Sequence, residues 1–91
     1  MSMITPRMRL ELDADRIEAV CASHHIGMRC TGGSVADYGT RFELERHTTG
    51  NTLARMPGNL EYEIMLTLPR SRAVKVTYPG DDKMIVEVLW R

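Results

Sequence analysis

The sequence predicts an α+β domain in which two helices cover one face of a small, largely antiparallel sheet, in the order βαββαββ. Three observations carry that prediction. Tyr38, Thr40, Phe42 and Leu44 alternate with Arg41, Glu43 and Glu45, the period of a half-buried strand. Leu60, Ile64, Met65 and Leu68 then fall at helical spacing, so the chain turns from strand to helix between Gly50 and Asn59. Val74, Val76 and Tyr78 are followed by Pro79-Gly80-Asp81-Asp82 and by Met84, Val86, Val88 and Trp90, the pattern of a closing hairpin.

The elements follow in order. Residues 1–6 read as a loose leader, because the residue before a proline avoids helix and nothing there is periodic. Met8, Leu10 and Leu12 alternate with Arg7, Arg9 and Glu11, which predicts a short first strand. Asp13 is the expected N-cap of the first helix and Asp15 adds charge to its first turn. Its stripe is Ile17, Val20, Cys21 and His24, and Gly27 is the expected left-handed residue after a stop near His25 or Ile26. Met28 to Thr31 reads as a strand, joined by a flexible Gly32-Gly33 connection to the strand at Tyr38. A Thr48-Thr49-Gly50-Asn51 turn leads towards the second helix, and Pro69 prevents that helix from continuing. Phe42, the single Phe, is expected to lie buried against Ile17, Val20 and Ile64.

The 91 residues close one core, so residues 1–91 form a single domain. Twelve basic and twelve acidic side chains cancel, which argues against tight autonomous binding to nucleic acid, where phosphate neutralisation supplies most of the affinity. No apolar run approaches the roughly 20 residues of a membrane span, and no signal-peptide core stands at the N-terminus, so a cytoplasmic location is expected. Cys21 and Cys30 are then expected as thiols rather than a disulfide.

The ordered strings resemble the α domain that precedes the motor of FtsK/SpoIIIE-family DNA translocases. The matching residues are Thr40-Arg41-Phe42-Glu43-Leu44, the turn at Gly50, Leu53-Ala54-Arg55-Met56, Asn59-Leu60 with Ile64 and Leu68, and Pro79-Gly80 before Ile85-Val86-Glu87-Val88. The likeness covers about residues 13–91, and its specificity lies in the ordered set rather than in any one string. It implies a non-catalytic module that assembles as a ring beside a separate ATPase motor. The motor's phosphate-cradling loop is absent, since none of Gly32, Gly33, Gly50, Gly58 and Gly80 leads into Gly-Lys-Ser/Thr.

Arg41, Arg55, Arg70, Arg72 and Lys75 are the candidate nucleic-acid or partner contacts, because phosphate binding draws on cations at loops and strand edges. The alternative is that Arg41 pairs with Glu43, Glu45 or Glu87 and the others are simply solvated. Cys21, His24, His25, Cys30 and His47 lack the spacing of a closed zinc module, so no metal is expected. Asp81 and Asp82, with Glu87, read as solvated acids of a turn rather than a catalytic pair, and neither a catalytic role nor a cofactor is expected. Two functions stay open. One is a non-catalytic module of a DNA-translocation or DNA-processing assembly, acting by self-association and protein contacts with weak phosphate contacts. The other is a small free-standing phage or mobile-element protein that binds a host machine, for which the chain's own start at Met1 and end just after the last strand are the motive.

Overall fold

A computed structural model describes residues 5–47 and 53–91. The elements are α1 (Pro6–Ser23), β1 (Met28–Val35), β2 (Gly39–Arg46), a short 3-10 turn at Leu53–Arg55, α2 (Leu60–Thr67), β3 (Ser71–Gly80) and β4 (Lys83–Trp90). All strand pairs are antiparallel and the sheet order is β1-β2-β4-β3. The α1 helix lies on β1, α2 lies on β3, and the two helices touch each other. The α+β class and the packing of both helices on a small antiparallel sheet therefore match the sequence-based expectation.

The expected first strand does not form. Residues 7–12 belong to α1, so the order is αββαββ. Thr5 is the N-cap, its Oγ1 accepting the Met8 N–H at 3.1 Å, and Pro6 takes the first helical position. A proline there loses nothing, because that N–H has no helical partner in any case. Once the helix starts at Pro6, Leu10, Ala14, Ile17 and Cys21 line up along one face, half-buried at Leu10 and buried at the other three. Met8 and Leu12, which gave the appearance of alternation, are each 47% exposed. Asp13 is accordingly mid-helix and buried rather than a cap.

The end of α1 also differs from expectation. The left-handed residue that closes the helix is His25, with φ of 64°, two positions before Gly27. Its N–H reaches Ala22 O at 2.9 Å and the Ile26 N–H reaches Cys21 O at 3.3 Å. This is a Schellman closure, and its usual apolar contact is supplied by Ile26 and Cys21, both fully buried. The apolar anchor, rather than the glycine, fixes where the helix stops.

The Gly32-Gly33 pair is strand rather than connection. It lies inside β1, which carries a bulge between Cys30 and Gly32. In β2 the predicted alternation holds, with Thr40, Phe42 and Leu44 buried and Arg41, Glu43 and Glu45 exposed. Phe42, Ile17 and Ile64 are all fully buried in one core, and Val20 packs against it half-buried. Tyr38 precedes the strand and is exposed. Leu60, Ile64 and Leu68 are buried, as their spacing predicts, while Met65 is half-buried. The predicted turn at 48–51 lies outside the described residues.

Both sheet edges are partly closed by carboxylates from the helices. Glu18 of α1 accepts the Cys30 N–H of β1 at 2.8 Å, and Glu61 of α2 accepts the Val76 N–H of β3 at 2.6 Å. An outward-pointing strand N–H is otherwise a template for pairing with another chain.

Candidate functional site

The five candidate cations do not gather in one place. Arg41 and Lys75 share the sheet face that the helices leave open, where the register sets Arg41 opposite Glu87 and Glu87 opposite Lys75. A second row sets Arg29 opposite Glu45 and Glu45 opposite Lys83. Charge thus alternates in sign from strand to strand, the arrangement that stabilises cross-strand neighbours. Arg41 also lies 3.7 Å from Glu43, with about half of each side chain exposed. Arg72 is exposed at the irregularity between Ser71 and Ala73 of β3. The backbone of Arg55 closes the 3-10 turn, while its side chain lies outside the described part of the structure.

Arg70 belongs to a different feature, a cleft of about 350 Å³ where the N-terminal half of α1 crosses one end of the sheet. Three arginines line it: Arg9 from α1, Arg70 from the loop before β3, and Arg91 just after β4. Asp13, Asp37, Thr40 and Trp90 complete its polar and aromatic walls. Backbone bonds hold these pieces in register. The Arg91 N–H donates to Arg70 O at 2.9 Å, and the Trp90 N–H donates to Tyr38 O at 2.9 Å in the β1–β2 turn. The Trp90 indole N–H donates to Thr40 Oγ1 at 2.9 Å, which fixes the ring, and the Arg70 guanidinium lies 5.6 Å from the ring centroid. That cation–π contact contributes about 0.5–1 kcal/mol at an exposed site.

Asp13 is the one buried carboxylate in this wall, its side chain only 7% exposed and 3.9 Å from Arg16 Nη1. Burial pushes its pKa above the ordinary 3.8, and the charges of Arg16 and Arg9 only partly oppose that. The folded state therefore holds the proton more tightly than the unfolded chain does, and ionisation costs stability as pH rises through the folded pKa. Asp13→Asn is expected to equal or exceed the wild type in thermal stability at pH 7, with the difference shrinking as pH falls towards 3.8. Melts across that range check it, and a variant markedly less stable at pH 7 would mean that the carboxylate charge is needed where it lies.

Arg9 and Asp13 escaped the sequence reading because a strand puts them far apart, whereas a helix sets residues four apart on one face. The signal that would have joined them is Thr5-Pro6, a capping residue followed by the proline favoured at a first helical position.

His24 Nε2 lies 2.7 Å from Glu63 Oε2 and so links α1 to α2. Cys21 and Cys30 are free thiols. Burial pushes the Cys21 thiol up to about 12, and Cys30 is also raised by burial, so neither is poised as a thiolate near neutral pH. Among the described residues, no group of three or more His, Cys, Asp or Glu side chains gathers as a metal site, and no helix is long and apolar enough to cross a membrane.

A scan against protein-family models finds none that matches the chain, and a search of curated proteins finds no relative.

Proposed function

We propose that the chain is a non-catalytic module of a DNA-translocation or DNA-processing assembly, working in the cytoplasm by self-association and protein contacts, with weak contacts to phosphate and with any ATPase motor on a separate domain or chain. The observation that carries this reading is the uncovered sheet face. Arg29, Arg41, Lys75 and Lys83 alternate there with Glu45 and Glu87 across the strands, and Glu43 lies beside Arg41 along β2. A face with both signs in ordered rows favours a specific register with a complementary surface and excludes wrong ones, while providing little net attraction. The placement of the translocase-like strings adds support. Thr40-Arg41-Phe42-Glu43-Leu44 forms the middle of an interior strand, Asn59 is the N-cap of α2, and Pro79-Gly80 falls where β3 runs into its turn.

The test is size-exclusion chromatography with light scattering at high protein concentration, alone, with DNA, and with a cognate motor. Oligomers are expected, and they should weaken at high salt because the rows are exposed. A monomer under every condition would overturn the reading.

One observation favours the second reading, a small module that occupies a partner protein's surface. Tyr62 and Leu66 lie one turn apart on the outer side of α2 and are 60% and 64% exposed. Cross-linking at Tyr62 to a protein other than this chain, with Arg41 variants unaffected, would support it over self-association.

A further inference from the structure

We infer that the cleft between α1 and the sheet end is a nucleotide-unit site, with Arg9, Arg70 and Arg91 taking the phosphodiester and the Trp90 wall taking the base. This rests on the phosphate contacts of the function proposed above, though not on its self-association. It relocates those contacts from the open sheet face to the opposite side of the sheet.

Three features of the cleft point to this chemistry together. The first is convergence: the chain has no net charge, yet three guanidiniums from separate segments line one opening against two carboxylates, the buried Asp13 and the exposed Asp37, and a backbone bond ties Arg70 and Arg91 side by side. Guanidinium forks match phosphate oxygens in geometry and stay charged at any working pH. The second is the indole. Trp90 is held by Thr40 and carries the Arg70 guanidinium over its ring, so a stacked indole–guanidinium wall stands beside Arg9 and Arg91, and both indole and guanidinium are surfaces on which bases stack. An acidic peptide would use the arginines and leave that wall without a partner. The third is Asp13, nine-tenths buried in the wall, with Arg16 Nη1 at 3.9 Å and the Arg9 charge also near it. It offers an acceptor to the amino or ring N–H donors that a base carries and an inorganic anion lacks. The cations of the open face are, in contrast, each matched by a carboxylate across the strands.

Trp90 is the chain's single tryptophan, so its emission reports on the cleft directly. The full chain is titrated with a short single-stranded oligonucleotide, with inorganic phosphate, and with poly-glutamate. Binding of a labelled oligonucleotide is followed by anisotropy across a salt series for the wild type and for Arg70→Gln, Arg91→Gln and Arg41→Gln. Trp90 emission is expected to change with the oligonucleotide. Arg70→Gln and Arg91→Gln are each expected to reduce the salt slope by about one unit, as removal of one phosphate contact does. Arg41→Gln, on the other face, should bind as the wild type does. Four results would overturn the inference: silent Trp90 emission; Arg41→Gln weakening binding as much as Arg70→Gln; inorganic phosphate competing as well per site as the strand; or poly-glutamate binding as tightly. A monomeric protein that passes these tests would sink the assembly role and leave the site standing.

Discussion

Phe42→Ala is expected to lower the unfolding free energy by about 3–5 kcal/mol, the largest effect of any single side chain here. The ring is fully buried at the middle of β2, an interior strand flanked by β1 and β4, with Val86 opposite it on β4. Ile17 of α1 and Ile64 of α2 are fully buried in the same core. Truncation thus removes apolar area from the layer on which both helices rest, and a rigid sheet cannot close the space by moving one strand. A domain of this size has about 5–15 kcal/mol of stability in total, so the variant should be largely unfolded on modest heating. Arg41→Ala, one residue earlier with its side chain 48% exposed, should stay within about 0.5 kcal/mol of the wild type. Thermal melts of the pair measure the contrast. A Phe42→Ala protein that melts like the wild type would mean that the sheet and helices do not share one core at this point.

Where one physical signal dominated, the sequence was a good guide to the fold. The β2 and β4 strands alternate cleanly because each has one face on the core and one in water, and α2 carries a helical stripe that ends before Pro69. The reading failed at α1, where two periods compete. Met8, Leu10 and Leu12 alternate, but Leu10, Ala14, Ile17 and Cys21 make a longer helical stripe whose second member is a small residue that a hydrophobicity pattern underweights. It failed again at Gly32-Gly33, because glycine usually marks a break and here marks a close approach. The candidate site was less legible still. Arg70 was singled out, but its company depends on the misread helix and on backbone bonds between segments remote in sequence, such as Trp90 to Tyr38. Local pattern carries no information about such meetings.

That close approach gives a second large effect, sharpest as a comparison of adjacent residues. Gly33→Ala is expected to destabilise by about 1–3 kcal/mol, the usual range for overpacking, while Gly32→Ala should change stability by less than about 0.5 kcal/mol. A Cβ on Gly33 would lie 2.9 Å from the backbone O of Arg41 and 3.3 Å from Cδ1 of Leu10. The carbonyl cannot retreat without disturbing the β1–β2 ladder, in which Gly33 stands opposite Phe42. The strain therefore falls on Leu10 and lifts the first turns of α1 from the sheet. On Gly32 the nearest atom is Oε2 of Glu43 at 3.0 Å, the far end of an exposed side chain that can swing into solvent. Loss of unfolded-chain entropy there even favours alanine. Because Arg9 and Asp13 flank Leu10 on α1, the Gly33 variant should also disturb the cleft and shift Trp90 emission, whereas the Gly32 variant should not. Paired urea denaturations followed at Trp90 read both effects at once, and equal midpoints with equal native emission would mean that α1 is not seated on Gly33.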